Sequence, residues 1–159
     1  MREILFKAKR IDNGEWIEGY YLRDQYHIGG KDIIFYRKDS DRFTVYTNII
    51  DIETICQFTG LTDKNGKKIW ENDVLMCHGN SEDLAKAVFG EFGVRDIETG
   101  SIVDKVTGWH YEIIPTDEIS RCEPFCWSMP LTEYYINRCE MEVVSNIFDN
   151  PELLQEEHK

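Results

Sequence analysis

The sequence is poor in positive charge. Its 159 residues carry 18 Lys and Arg against 30 Asp and Glu, a formal charge of −12. A protein that gained affinity by neutralising phosphates would need clustered cations, so a general nucleic-acid-binding role is disfavoured. Long apolar runs are also missing. No stretch approaches the roughly 18 apolar residues of a membrane span, and the opening Met-Arg-Glu-Ile-Leu-Phe-Lys has no apolar centre of a secretory signal. No membrane partner and a cytoplasmic location are therefore expected. There are only five cysteines, Cys56, Cys77, Cys122, Cys126 and Cys139. An odd set without regular spacing excludes the disulfide framework of a small secreted domain and predicts reduced thiols.

The familiar catalytic signatures are absent as well. The chain has no phosphate-cradling G-x-x-x-x-G-K-[ST], no G-x-G-x-x-G, no G-x-S-x-G and no H-E-x-x-H. Cys122-x-x-x-Cys126, with Cys77, His78 and Cys139 elsewhere, gives five residues from which four zinc ligands could come, but only one pair has the short spacing that structural zinc sites use twice. Adjacent Cys77 and His78 would point to opposite faces of a strand, which separates a nucleophile from its base. Asp117, Glu118, Glu123, Glu133, Glu140 and Glu142 are plentiful carboxylates, and no spacing sets two of them at the fixed separation that acid/base work needs. The expectation is no enzyme, no catalytic residue, no metal and no cofactor.

What is present is β-forming. Hydrophobic residues make up 42% and aromatic residues 13%, enough for a packed core. In residues 3–10, Ile4, Phe6 and Ala8 alternate with Leu5, Lys7 and Lys9, a period of two that predicts a strand. Asp12-Asn13-Gly14 tolerates positive φ and predicts a hairpin into residues 16–22. A second hairpin is expected from Tyr26-His27-Ile28 through Gly29-Gly30 to Ile33-Ile34-Phe35-Tyr36. The polar cluster at residues 38–41 then leads to an extended Phe43-Thr44-Val45-Tyr46-Thr47.

β-branching extends the strand reading through Thr54, Ile55 and Thr59, and residues 62–66 read as a turn with Gly66 in the left-handed position. Short strands are expected at residues 69–70, 74–77, 85–94, 101–106, 109–113 and 140–147. Residues 115–130 hold three of the four prolines and read as irregular. Asn150 as N-cap, Pro151 in the first turn and Glu152 at the positive end of the dipole predict a short helix over residues 151–157. The fold class is mainly β.

Two segments go beyond generic pattern. Gln57-Phe58-Thr59-Gly60-Leu61-Thr62-Asp63-Lys64-Asn65-Gly66-Lys67-Lys68-Ile69-Trp70-Glu71-Asn72-Asp73-Val74 resembles the signature of the YopX family of phage and prophage proteins. The opening Arg2-Glu3-Ile4-Leu5-Phe6-Lys7-Ala8 and the close Glu142-Val143-Val144-Ser145-Asn146-Ile147-Phe148-Asp149-Asn150-Pro151-Glu152-Leu153-Leu154 are similar to the two ends of that family. Three departures stand out: Asn72 and Ser145 replace a usual Gly, and Lys7 a usual Arg. Asn tolerates left-handed backbone, so the turn at Asn72 is expected to survive.

The resemblance implies multiple β-hairpins, a small SH3-like barrel portion, a short C-terminal helix, and one domain over residues 1–159 with a variable central insertion around 78–135. It also implies a phage or prophage accessory protein in a bacterial host cell, with no activity to transfer. Its signature residues, Thr59, Gly60, Leu61, Asp63, Asn65, Gly66, Trp70, Glu71, Asp73, Asn146 and Pro151, are the types that consecutive turns and a covered core require. A structural role is expected of them, with Ile69 and Trp70 covering the core.

Charge is divided along the chain. Residues 1–50 carry +1 and residues 51–159 carry −13. A protein partner or self-association, through surface aromatics such as Trp127, Tyr134 and Tyr135, is the leading expectation. Nucleic acid is the second reading, through Phe6, Lys7, Lys9, Arg10, Trp16, Tyr20, Tyr21 and Arg23 in the N-terminal hairpins, whose rings and cations suit a stacking platform. The third reading is an acidic mimic that blocks a host nucleic-acid-binding protein.

Overall fold

The computed structural model describes residues 3–26 and 29–154. It is mainly β, with 55% strand and 7% helix. Among the described residues, ten strands form two five-stranded sheets whose described pairings are antiparallel, in the orders β1-β2-β3-β4-β5 and β10-β6-β7-β8-β9. The strands are β1 (Phe6–Arg10), β2 (Trp16–Asp24), β3 (Lys31–Lys38), β4 (Asp41–Thr62), β5 (Lys68–Trp70), β6 (Asp73–Met76), β7 (Leu84–Arg95), β8 (Ile102–Ile114), β9 (Met129–Pro130) and β10 (Glu142–Asn146). Among the described residues, one α-helix, α1 (Glu133–Arg138), and one 3-10 turn (Pro151–Leu154) complete the set. The chain divides into two compact units, Met1–Gly60 and Leu61–Lys159. An SH3-like barrel is not demonstrated by these pairings.

In the first unit, β1 and β2 meet at the expected Asn13-Gly14 turn. Gly14 has φ 72° and donates its N–H to the Arg10 carbonyl at 2.9 Å, a backbone that glycine adopts without penalty. The second hairpin differs from the sequence reading. Strand β2 continues to Asp24 and pairs directly with β3, so Tyr26 lies in an exposed bend beyond the strand. His27 and Ile28 lie outside the described residues. Gly19 sits where β2 crosses β3, and a Cβ there would stand 2.4 Å from the Phe35 carbonyl oxygen, so only glycine fits.

Strand β4 turns back along β1 with a wide bulge. Lys7 faces Cys56 and Lys9 faces Asp51, so five steps along β4 answer two along β1. Thr54 fills the gap. Its hydroxyl accepts from the Lys9 N–H at 2.8 Å and donates to the Asp51 carbonyl at 2.7 Å. The unit's core is Ala8, Ile34 and Ile50, flanked by Phe6, Ile17, Tyr21, Ile52 and Ile55. Ile4 is exposed and Leu5 buried, the reverse of the strict alternation, because β1 begins only at Phe6.

The second unit is built on one long hairpin. The separate short strands expected between residues 85 and 113 merge into β7 and β8, paired from Leu84↔Ile114 to Arg95↔Ile102. These two strands of the central segment contribute Ala85, Ala87 and Tyr111 to the main core with Ile69, Leu75, Met141 and Val143.

Helix α1 was not foreseen by periodicity, being only six residues long. Thr132 caps it, accepting the Tyr135 N–H at 3.3 Å, with Glu133 in the first turn and Arg138 in the last. Ile136 is its buried anchor. At the C-terminus, the expected helix is a 3-10 turn beginning at Pro151; residues 155–157 lie outside the described set.

Candidate functional site

The signature residues assemble a buried polar clamp. Asp63, 5% exposed, accepts three backbone N–H groups: Asn65 at 2.8 Å and Lys67 at 2.9 Å through Oδ1, and Val143 of β10 at 2.9 Å through Oδ2. Gly66 closes the same turn with φ 80°. Ten residues on, Asp73 accepts the Trp70 N–H at 2.8 Å and the Asn146 amide at 2.9 Å. The Asn146 oxygen then accepts the Phe148 N–H at 3.0 Å, and its amide also reaches the Glu71 carbonyl at 3.5 Å.

Asn72 takes φ 64°, as its residue type allows, and its N–H and carbonyl bond to Ala87 and Ile147. Ile69 and Trp70 are both buried, Thr59 is buried, Leu61 packs against the main core, and Gly60 is exposed with φ 86°. Every oxygen of Asp63 and Asp73 is thus turned to the protein's own donors. The clamp holds β5, β6 and β10 together and presents no open carboxylate for chemistry.

The thiols separate into two environments. Cys77 and Cys139 are neighbours in the second unit, where the His78 N–H donates to the Cys139 carbonyl at 2.8 Å. Burial first, then the charges of Asp83 and Cys139, pushes the Cys77 thiol up to about 12; burial also raises Cys139. His78 leaves this pocket because its φ of 53° turns it out of the strand to the surface. Cys122 and Cys126 are exposed on the irregular segment, one turn apart, with the Cys126 N–H donating to the Cys122 carbonyl at 3.1 Å. Among the described residues, no group of three or more His, Cys, Asp or Glu side chains is placed to hold a metal ion.

A thiolate is the reactive form, so thiol accessibility and burial set the order of modification. At pH 8, a thiol-specific reagent is expected to modify Cys122 and Cys126 rapidly and to leave Cys56 and Cys77 unmodified until denaturant is added. Mass spectrometry of the timed products checks this, and early labelling at Cys77 would contradict its burial.

The N-terminal rings and cations are also placed. Lys7 and Lys9 lie over the Trp16 ring at 4.8 and 5.4 Å, and Lys38 lies over Tyr46, itself stacked on Tyr36. Phe6 and Tyr21 join the unit's core. The protein's own lysines therefore lie over Trp16 and Tyr46, whereas Tyr20 of the same hairpins stays half-exposed with its ring against Phe35. A cleft of about 680 Å³ opens in this unit, floored by Ile11, Ile33, Ile49 and Ile52 and edged by Asp32 and Asp51. The Asp32 carboxylate accepts the Tyr21 hydroxyl at 2.6 Å, which raises the tyrosine pKa.

The surface that sequence reasoning missed lies on the β7–β8 hairpin. Strand β6 covers β7 only from Leu84 to Lys86, and β9 covers β8 only at His110 and Tyr111. Beyond them the hairpin runs on as a ribbon with Phe89, Val94, Ile97, Ile102, Val103 and Val106 exposed, Ile97 at 87% and Val103 at 64%. Two contacts hold its shape. Phe92 stacks on buried His110 with centroids 4.7 Å apart, and Arg95 donates to the Gly100 carbonyl at 2.7 Å while its guanidinium lies over Trp127. The signal was present as apolar residues on both faces of residues 92–106, where a half-covered strand would alternate with polar ones.

The family model described as YopX protein matches residues 5–155. No curated protein matches the chain.

Proposed function

Because this chain belongs to the YopX protein family, we propose that it is a phage- or prophage-type accessory protein that works by binding another protein and performs no catalysis of its own. The exposed apolar ribbon of β7 and β8 carries this reading. A two-stranded ribbon is marginal in water by itself, and several large apolar side chains left exposed on one element point to an interaction surface. The buried clamp at Asp63, Asp73 and Asn146 supports a structural role for the family signature, leaving the ribbon as the part free to meet a partner.

The test uses the double substitution Ile97→Asp and Val103→Asp. Both side chains are exposed, so the fold and its melting curve should stay unchanged. Affinity capture from lysates of infected cells is expected to recover a partner with the native chain and about tenfold less with the variant, the loss that roughly 1.4 kcal/mol represents. Equal recovery by both proteins, or recovery by neither, would overturn the reading.

A further inference from the structure

One side of β8 is paired with β7 throughout, and on the other side β9 stops at His110. Among the described residues, the stretch from Ile102 to Thr107 is therefore a sheet edge. Its direction can be fixed. The Leu131 N–H donates to the Trp109 carbonyl at 3.0 Å, so Trp109 turns its carbonyl to the β9 side. Backbone groups alternate along a strand, so Thr107 and Lys105 face the same side. The Lys105 N–H rests on the carboxylate of its own neighbour Asp104 at 2.8 Å, a local contact that an incoming carbonyl can replace.

Charge selects the occupant. Residues 89–107 carry Glu91, Asp96, Glu98 and Asp104 against Arg95 and Lys105. Both cations are engaged: Lys105 with Glu91 at 3.1 Å, and Arg95 with Glu123 at 3.9 Å and with Gly100. The edge therefore presents exposed Ile102, Val103 and Val106 in an acidic surround. A second copy would bring the same excess acid, and a symmetric antiparallel pair centred on Lys105 would set lysine against lysine.

We propose that the outer edge of β8 takes up an extended segment of the partner by strand addition, and that this segment alternates apolar residues with Lys or Arg. The inference rests on the protein-binding reading above and specifies its geometry and partner chemistry. Backbone hydrogen bonds to Lys105 and Thr107 supply the pairing, Val103 supplies apolar contact on one face of the strand, and Asp104 on the opposite face supplies charge complementarity, which matches the alternation of the incoming segment.

The test uses the full chain and labelled synthetic heptapeptides: alternating Val-Lys, alternating Val-Glu, and Val-Lys with alternate amides N-methylated. The Val-Lys peptide is expected to bind saturably, to slow hydrogen exchange at the Lys105 and Thr107 amides, and to lose about tenfold in affinity between 50 and 300 mM salt, as screened charges predict. Asp104→Asn should weaken it several-fold, and N-methylation should abolish it. Equal binding of the Val-Glu peptide, protection confined to other amides, or no binding would overturn the proposal. A chain that still captures its partner through Ile97 and Val103, yet shows none of this protection, would remove the strand-addition inference alone.

Discussion

Asp73→Ala is expected to lower the stability of the second unit by about 2–5 kcal/mol. The carboxylate is 1% exposed and accepts from both the Trp70 N–H and the Asn146 side chain. Removing it strands two buried donors, each at a cost of about 1–3 kcal/mol. Asn146 is itself the hub for Phe148 and Glu71, so the end of β10 should loosen with it. Urea unfolding followed through tryptophan fluorescence measures the loss, with Trp70 as a nearby buried reporter. A double-mutant cycle with Asn146→Ala should show strong coupling between the two sites. An Asp73→Ala protein within about 0.5 kcal/mol of the native chain, the range of ordinary surface changes, would refute the clamp.

Asp63→Ala should cost about 2–4 kcal/mol, because a charged acceptor of three N–H groups is removed from a buried turn. Its two local bonds, to Asn65 and Lys67, shape the β4–β5 turn; the third, to Val143, spans 80 residues of sequence. Asp63→Asn separates these roles. One oxygen can keep the local pair, while the amide that replaces Oδ2 faces the Val143 N–H, a second donor. This variant is expected to retain the turn and to exchange the Val143 amide faster. Unchanged exchange at Val143 would show that the long-range bond does not hold β10.

Much of the architecture was legible locally. Asn13-Gly14 and Asn65-Gly66 mark turns because glycine accepts left-handed backbone, and Gly14 and Gly66 both take positive φ there. Asn72 keeps the left-handed turn despite replacing glycine, since its short polar side chain tolerates φ 64°. The readings that shifted are those set by distant partners. Strand β2 ends at Asp24 because β3 pairs with it that far, and the strands around residues 85–113 fuse because β7 and β8 support each other across their whole length. A six-residue helix has too few turns to show a period, so α1 could be found only from its cap at Thr132 and the charges at Glu133 and Arg138.

The site divides the same way. The family motif marked Asp63, Asp73 and Asn146 as a set, and their residue types already suggested turns. That all three are buried and hydrogen-bonded to one another's strands depends on β10 folding back beside β6, a contact some 70 residues apart in sequence. Low positive charge was a property of composition, and the sequence could only locate its excess acid after residue 50. The tertiary structure decided which cations remain available on the exposed ribbon: Lys105 and Arg95 are drawn to Glu91 and Glu123, leaving an apolar edge in an acidic field. Composition fixes how many charges a chain has, whereas Coulomb attraction at 3–4 Å depends on which of them the fold brings together.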